Sequence, residues 1–185
     1  IEKRVELGPR ERLPVPSHQI DRGTFENELI KRSNSIGNTV VLGARVKDVE
    51  LQEEDHSITY KKEGEEVSVT ARWVIDATGR GSFLKRKLGF QKEVDHPVNA
   101  VWFRVKGEID VNNWSNDKSW NTFLKPGLRR LGTVHLMDTG YWVWLIPLAT
   151  NSTSVGIVAD PRFHSFDEIN TLEKAMGWLQ KNEPQ

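Results

Sequence analysis

The stretch from Arg72 to Leu88 constrains the fold of this chain more than any other. It opens with the uninterrupted apolar run Trp73–Ile75, which is typical of a strand buried on both faces. Asp76 and a turn with two glycines follow at once, and the next residues predict a helix that Ser82 can cap and Gly89 can end. The apolar stripe of this helix is predicted to be Phe83, Leu84 and Leu88.

A strand, a tight glycine turn and a helix N-terminus together suit a phosphate-bearing ligand. Unpaired backbone N–H groups and the positive end of the helix dipole converge there, and glycine lets a ligand approach closely. Most turns of this kind bind nothing, however. The pattern alone therefore favours a turn without a ligand over a nucleotide contact.

The composition excludes several classes of protein. The 185 residues suffice for one domain, or for one domain and part of a second. Because 26 basic residues balance 26 acidic ones, neither a nucleic acid nor an anionic membrane is an expected partner. The absence of cysteine excludes a disulfide framework and thiol catalysis, and it indicates a reducing compartment, for which we expect the cytoplasm. No apolar run reaches the length of about 18 residues that spans a bilayer, so no membrane span is predicted.

The first 42 residues predict a connection, a helix and a short strand. Residues 1–17 carry three prolines and predict a connection, with only a hint of an edge strand at 5–7. Asp21 can cap the helix that follows, and Gly37 can end it. The core stripe of that helix is predicted to be Phe25, Leu29 and Ile36. The β-branched run Thr39–Leu42 then predicts a strand, so one crossover of a parallel sheet is expected.

Residues 44–159 predict antiparallel sheets. Apolar and polar residues alternate from Ala44 to Ala71, and Glu63, Gly64 and Glu65 supply a turn, which indicates a three-stranded meander. After Gly89 the character of the chain changes. Four further strands are predicted, without helices between them, at residues 98–105, 132–137, 141–148 and 154–159.

Two segments connect and close this second region. The long loop at residues 110–125 carries Trp114 and Trp120, which could line a pocket or cover the sheet. Residues 166–181 predict a closing helix. Its apolar face is predicted to comprise Ile169, Leu172, Ala175, Met176 and Leu179.

Few side chains form a recognisable catalytic pattern. The five histidines show no pair at metal-ligand spacing, and neither a His-Glu-x-x-His motif nor a Gly-x-Ser-x-Gly elbow is present, so no metal site or hydrolase nucleophile is expected. The densest aromatic segment is Trp142–Pro147. Alternation places Trp142, Trp144 and Ile146 on one face of a strand, and composition alone favours a core position for them. Pro147 cannot donate to a ladder, so the strand is expected to end or to face a cavity there.

Three parts of the chain together resemble the flavin-dependent halogenases. They are His18–Arg22 at the start of a helix, Asp76–Arg80 after the predicted buried strand, and Trp142–Pro147 followed by Ser154–Val158. The Trp-x-Trp-x-Ile-Pro hexapeptide matches the halogenase signature at every fixed position. The Asp-Ala-Thr-Gly segment is shared across the wider family of FAD-dependent monooxygenases and reductases with the p-hydroxybenzoate hydroxylase fold. The resemblance covers only the middle of such an enzyme, so we expect an internal fragment of a longer protein. The lysine that the halogenases use to carry active chlorine would lie upstream of Ile1, and its presence in the longer protein is an open question.

The resemblance implies an α/β (α+β) fold in two parts. Residues 1–92 would form a partial FAD-binding domain, with a parallel sheet and the antiparallel meander but without the N-terminal glycine-rich motif. Residues 93–185 would form a largely antiparallel substrate-domain sheet and its closing helix.

The resemblance also implies two groups of site residues. The cofactor-binding group, for FAD, is predicted to be Gln19, Arg22, Val46, Asp76, Ala77 and Gly79. The wall between flavin and substrate is predicted to be Trp142, Trp144, Ile146 and Pro147. Plainer interpretations are open for two of these residues, because Arg22 could be a surface charge at a helix start and Asp76 could simply cap its turn.

The implied function is that of an FAD-dependent oxidoreductase. A halogenase would use reduced FAD, oxygen and a halide on a small organic substrate, and could draw on a flavin reductase as partner. An aromatic hydroxylase would instead bring its substrate to the flavin, and a dehydrogenase or reductase would exchange a hydride with it. A non-catalytic binding module with the same fold is the alternative outside the enzymes. The isolated fragment is expected to be inactive and to bind FAD weakly or not at all.

Overall fold

The computed structural model describes residues 1–11, 14–15 and 17–184. Part of the predicted connection, at residues 12, 13 and 16, lies outside these. The α-helices are α1 (Arg22–Ser35), α2 (Phe83–Lys87), α3 (Lys118–Phe123) and α4 (Leu172–Asn182). The β-strands are β1 (Arg45–Glu50), β2 (His56–Lys62), β3 (Glu65–Ala71), β4 (Asn99–Lys106), β5 (Val134–Asp138), β6 (Tyr141–Leu148) and β7 (Ser152–Ala159). Among the described helices, none combines the length and the apolar character needed to cross a bilayer.

The chain divides into two compact units, which together give the mixed α/β class that was predicted. The larger unit comprises Ile1–Glu26 and Asp95–Gln185, and the smaller unit comprises Asn27–Val94. The assignment of residues 1–92 to a cofactor domain and of 93–185 to a substrate domain stays a prediction.

The larger unit is built on a four-stranded antiparallel sheet in the order β4-β7-β6-β5. All four strands were predicted from alternation, and their bounds differ from the predicted ones by two residues or fewer. Residues directly opposite one another in this sheet share a face, since side chains alternate between the faces along each strand. One such row runs from Trp102 in β4 through Gly156 in β7 and Trp144 in β6 to His135 in β5.

The hydrophobic core of the larger unit lies on the other face of the sheet. Strands β5 to β7 and the C-terminal segment contribute its fully buried apolar residues. These include Leu136, Tyr141, Val143, Leu145, Val155, Ile157, Ala159, Ile169, Ala175 and Trp178. The core is therefore a sheet covered on one face by the C-terminal segment.

The predicted continuous helix at 166–181 is interrupted. A 3₁₀ turn at Phe166–Glu168 is followed by a break, and α4 begins afresh after Thr171, whose Oγ1 accepts a hydrogen bond from the Lys174 backbone N at 3.3 Å. Because the new cap changes the register, the predicted apolar face is wrong in part. Leu172 is 62% exposed and Met176 is also exposed, whereas Trp178, which was not on the predicted face, is buried.

The loop at 110–125, predicted without helices, contains a 3₁₀ turn at Val111–Trp114 and helix α3. Aspartates explain both, because Asp110 accepts a hydrogen bond from the Asn112 backbone N at 2.9 Å and Asp117 accepts one from the Ser119 backbone N at 2.7 Å. Trp114 packs against the core. Trp120 stacks on the Arg129 guanidinium, 3.8 Å from its ring centroid, so both tryptophans of the loop are engaged within the unit.

The smaller unit contains the predicted antiparallel meander in the order β1-β2-β3. Its second turn is formed by Glu63 and Gly64, which both have positive φ (53° and 96°), as a tight hairpin turn requires. The end of α1 near Gly37 (φ 90°) is also confirmed. The core stripe predicted for α1 is wrong, since no residue of that helix is buried.

Three predicted strands are absent from the described residues. Residues 5–7, Thr39–Leu42 and Trp73–Ile75 belong to no strand, and the strand pairs that are present are all antiparallel. Trp73 and Ile75 are 86% and 89% exposed rather than buried. A strand requires a neighbour to accept and donate its ladder hydrogen bonds, and no described segment pairs with these runs. The predicted crossover of a parallel sheet is therefore not formed here.

Candidate functional site

The turn after Trp73–Ile75 is organised by the carboxylate of Asp76. Its Oδ1 accepts hydrogen bonds from the Thr78 backbone N at 2.9 Å and from Thr78 Oγ1 at 2.5 Å, and its Oδ2 accepts one from the Leu84 backbone N at 2.7 Å. These hydrogen bonds, led by the Thr78 side chain, lower the pKa of Asp76. The carboxylate thus closes the turn and holds the start of α2.

Ser82 does not cap α2 as predicted. It occupies the cap position with left-handed backbone (φ 44°), and its hydroxyl donates to the Gly79 carbonyl at 3.0 Å instead of accepting from the helix. The free N–H groups of α2 are taken by Asp76 and by Thr78 Oγ1, which accepts from the Phe83 backbone N at 3.1 Å. The predicted helix stop at Gly89 (φ 69°) is present.

The backbone of this turn is open at Gly79. Its φ is +57°, a conformation that side-chain-bearing residues resist, and no atom lies within 4 Å of where a Cβ would stand. Ala77 beside it is exposed. A ligand could therefore approach the main chain of the turn closely at this point.

The predicted wall residues Trp142, Trp144 and Ile146 share one face of β6, as alternation predicted. They are partly buried, whereas Tyr141, Val143 and Leu145 of β6 are fully buried on the opposite, core face. The core interpretation that composition favoured is therefore wrong for this triplet. These side chains instead lie on the face of the sheet opposite the core, where they stay partly exposed.

Trp142 and Trp144 are held by specific neighbours. The Trp142 ring stacks on His96, with 6.4 Å between ring centroids and 16° between planes. Trp144 donates from Nε1 to Ser154 Oγ at 3.3 Å, and its ring lies over Gly156, where a Cβ would come within 2.2 Å of two ring carbons. Gly156 is thus required for the position of the Trp144 indole.

Pro147 does not end its strand. β6 continues to Leu148, and Pro147 lies opposite Thr153 of β7. On the other side of β6, the ladder with β5 extends only to Leu145. A residue without an N–H is tolerated there because the strand has reached a free edge on that side.

The segment at 18–22 lies against the same sheet. Gln19 Nε2 donates to Thr133 Oγ1 at 3.0 Å. Asp21 caps α1 as predicted, because the helix begins at Arg22 and the Thr24 backbone N–H donates to the Asp21 carboxylate. The same carboxylate also receives two hydrogen bonds from the Arg104 guanidinium, at 2.8 and 2.9 Å, and one from Thr150 at 3.2 Å. The hydrogen bond from Arg104 is the main cause of the lowered pKa of Asp21. Because Arg104 shares a face with the tryptophans, the larger unit brings the Gln19 segment to the sheet that carries the wall.

Two of the residues predicted to bind the cofactor, Arg22 and Val46, make no contact of this kind among the described residues. Arg22 forms an exposed ion pair with Glu26, one helical turn along, which is the surface-charge interpretation. Val46 lies in β1 opposite Tyr60 and is exposed. Val46 and the Asp76 turn belong to the smaller unit, while Gln19, Arg22 and the wall belong to the larger, so each group is described within its own unit.

Sequence reasoning missed Trp102. It lies in the same row as Trp144, across Gly156, and 63% of its surface is exposed. The alternation in β4 contained the signal, because Trp102 and Arg104 occupy the alternate positions to the half-buried Val101, Phe103 and Val105.

Residues 7–160 match the FAD binding domain family, a span that includes every predicted site residue. The chain belongs to this family. FAD is therefore its cofactor, as the resemblance implied.

The relatives of this FAD-binding domain include flavin-dependent halogenases. It is 29% identical over 157 residues to a Pseudomonas fluorescens chlorinase named for 1H-pyrrole-2-carbonyl on a peptidyl-carrier protein, covering 83% of this chain and 33% of that protein. It is 26% identical to the flavin-dependent halogenase chlA of Dictyostelium discoideum, covering 91% of this chain and 31% of that protein. The chain thus spans about a third of the length of these relatives.

Solved structures show the same fold. The flavin-dependent halogenase CmlS aligns with a TM-score of 0.66 at 27% identity, covering 88% of this chain and 27% of that chain. A flavoprotein/dehydrogenase from Cytophaga hutchinsonii aligns with a TM-score of 0.68 at 22% identity, over 91% of this chain and 38% of that chain, and at that identity it shares the fold alone. The FAD-binding domain is accordingly halogenase-like.

Proposed function

We propose that the whole protein is a flavin-dependent halogenase that acts on a small aromatic substrate. The observation that carries this proposal is the placement of the Trp-x-Trp-x-Ile-Pro residues. Trp142, Trp144 and Ile146 stand together on the sheet face that the core does not use. Indole rings that stay partly exposed on such a face can bind a planar ligand. The similarity to named halogenases supports the same reaction.

The described residues fit FAD in two respects. The open backbone at Gly79 allows a phosphate or ribose to approach the turn closely. The indoles of Trp142 and Trp144 offer flat, apolar surface that suits a planar ring system. We assign Gln19, Arg22, Val46, Asp76, Ala77 and Gly79 to the cofactor. Asp76 would act through the shape of the turn, since its carboxylate already accepts three hydrogen bonds within it.

The protein's own contribution would be orientation and exclusion. Bound, reduced FAD would supply the reaction with oxygen that oxidises the halide. Trp142, Trp144 and Ile146 would exclude water and keep the substrate from the flavin, so that only a small oxidised halogen species reaches it. Pro147 lies on the alternate face of β6 and would act only through the end of the strand. The His96 stack and the Ser154 hydrogen bond would keep the two indoles in place.

Partners follow from the same proposal. A flavin reductase would supply reduced flavin. Because two relatives are named for 1H-pyrrole-2-carbonyl on a peptidyl-carrier protein, we infer that a carrier protein is a candidate to present the substrate. A cytoplasmic location stays a prediction that rests on the cysteine-free composition.

The test uses the whole protein in two steps. Mixed with FAD and passed through gel filtration, it should elute with the flavin's visible absorbance, whereas a colourless protein would support a binding module without flavin. It is then given reduced flavin, oxygen and pyrrole-2-carboxylate, free or on a carrier protein, with bromide, chloride or no halide. Mass spectrometry should find a halogenated product only with halide. An oxygenated product that forms equally without halide would contradict the proposal in favour of a hydroxylase.

Two further samples sharpen this test. The 185-residue chain, which has no Gly-x-Gly-x-x-Gly turn, is expected to bind FAD weakly or not at all, and tight binding would contradict that expectation. Trp142→Leu and Trp144→Leu in the whole protein should lower the halogenated yield per flavin oxidised. Unchanged yields in both variants would show that the two indoles do not act as a wall.

A further inference from the structure

We propose that Trp102 is a substrate-binding residue and that it contacts a neutral, planar aromatic ring on the open face of the larger unit's sheet. This inference rests on the proposed function for the kind of reaction, but the binding itself is argued from the geometry of the sheet.

The position of Trp102 is fixed by strand register. It stands opposite Gly156, which in turn stands opposite Trp144. Two strand spacings of about 4.8 Å each separate the backbones that carry the two tryptophans. The residue between them has no side chain, and the Trp144 indole lies over it. Trp102 and the Trp144 indole are therefore neighbours on this face of the sheet, and the proposed site is the surface that the two indoles present.

The Trp144 indole supplies one surface of this site. Its ring atoms Cε2 and Cζ2 lie 2.2 Å from where a Gly156 Cβ would stand, so the ring leans over β7 towards β4. The hydrogen bond from its Nε1 to Ser154 fixes that orientation. Trp144 thus presents a flat, fixed surface on the Trp102 side.

The Trp102 side chain, in contrast, is not fixed by a hydrogen bond. Within residues 1–11, 14–15 and 17–184, no hydrogen bond or ring contact involves its side chain, and 63% of its surface is exposed. An exposed indole beside a second, immobilised indole is typical of a stacking site rather than of a core, because aromatic rings gain from flat contact beyond the area they bury.

The charges on this face favour a neutral ring. The nearest charged residue along β4 is Arg104, two positions from Trp102 on the same face, and its guanidinium is taken by the Asp21 carboxylate in two hydrogen bonds. An anionic ligand would have to compete with that carboxylate. A neutral aromatic ring can lie on the indoles without disturbing the ion pair.

The first experiment follows the tryptophan Nε1–H resonances of the ¹⁵N-labelled 185-residue chain by NMR. The probe is pyrrole-2-carboxamide, and its saturated counterpart cyclopentanecarboxamide is the control. We expect the Trp102 and Trp144 resonances to shift with the pyrrole amide and not with the saturated amide. Trp178, which is buried in the core on the other face, should not move. Equal shifts with both amides, or none at Trp102, would overturn the proposal.

Two variants separate stacking from general packing. Trp102→Leu keeps apolar bulk but removes the aromatic face, and it should raise the dissociation constant for the pyrrole amide by about tenfold. Trp102→Phe keeps an aromatic ring and should raise this dissociation constant by roughly threefold at most. Both should fold, since the side chain is largely exposed. Wild-type affinity in Trp102→Leu would overturn the proposal.

The whole protein distinguishes this inference from the proposed function. Trp102→Leu should raise KM for the aromatic substrate by about tenfold while the dissociation constant for FAD stays the same. Halogenation with an unchanged KM would refute the role of Trp102 and leave the proposed function intact. Absence of any halogenation, with the NMR shifts still present, would refute the proposed function and leave this binding site intact.

Discussion

Replacing Gly156 by alanine should displace the Trp144 indole and destabilise the larger unit. A Cβ at this position would lie 2.2 Å from Cε2 and Cζ2 of Trp144 and 2.6 Å from its Cη2. Carbon atoms in contact prefer separations of about 3.5–4.0 Å, so the ring has to move by more than about 1 Å. Moving it also breaks the hydrogen bond from Nε1 to Ser154. The position of the ring therefore depends on the absence of a single methyl group.

The size of the effect is the balance of opposing contributions. Overpacking costs about 1–3 kcal/mol and the lost hydrogen bond about 1 kcal/mol. Replacing glycine in a strand returns about 0.5–1 kcal/mol of backbone entropy. We therefore expect Gly156→Ala to lower the free energy of unfolding by about 1–3 kcal/mol. Urea unfolding, followed by near-UV circular dichroism of the packed aromatics, measures this value and also reports the changed environment of Trp144.

Two controls make the reasoning refutable. Gly177→Ala makes the same change in helix α4, where no atom lies within 4 Å of the new Cβ, and it should stabilise the protein by about 1 kcal/mol. In a Trp144→Ala background, Gly156→Ala should no longer destabilise, which gives a coupling energy for the pair. If Gly156→Ala is as stable as the wild type and leaves the spectrum of Trp144 unchanged, the ring does not lie where the sheet register puts it.

Three further changes test other parts of the structure. Arg129→Met should cost about 3 kcal/mol of unfolding free energy in a urea titration, because it leaves the Glu6 carboxylate without the guanidinium that now donates to both of its oxygens. Burial raises the pKa of Tyr141 to about 12, so the stability it contributes is complete below about pH 10 and is lost as the pH rises towards 12. The thermal midpoint of the wild type should therefore fall more steeply in that window than the midpoint of Tyr141→Phe. Asp76→Ala should speed hydrogen exchange of the Leu84 amide by tenfold or more, and unchanged exchange would show that the carboxylate does not hold the start of α2.

The sequence predicts the antiparallel sheets well, because their signals are local. In the meander, alternation marks the strands, and Glu63 and Gly64 supply the positive φ values that their hairpin requires. The strand at 73–75 fails for the opposite reason. An apolar run indicates that a strand would be buried, but the burial requires a neighbouring strand. No described segment lies beside Trp73.

The contacts of the predicted site residues could be predicted from the sequence only in part. Asp21 and Asp76 carry the short acidic side chains that suit helix starts. Both do so, since Asp76 holds the start of α2 and Asp21 accepts from the Thr24 backbone N–H, but the carboxylate of Asp21 is also bound by Arg104, 83 positions away in the sequence. A pairing over that distance is set by the tertiary fold, and no local pattern contains it. Trp102 was missed for a related reason, since its importance depends on which strand lies beside β4.

The composition of β6 explains why the site could not be told from the core by sequence alone. Both alternating sets of its side chains are apolar, so a period of two identifies the strand without stating which face is inside. The C-terminal segment decides this, because it packs against the face that carries Tyr141, Val143 and Leu145, whereas His96 and the segment at 18–22 contact the tryptophan face only in part. Trp142 and Trp144 contact His96 and Ser154 but keep part of their surface exposed. Because a planar ring can lie on such indoles, we propose this face, and not the core face, for flavin and substrate.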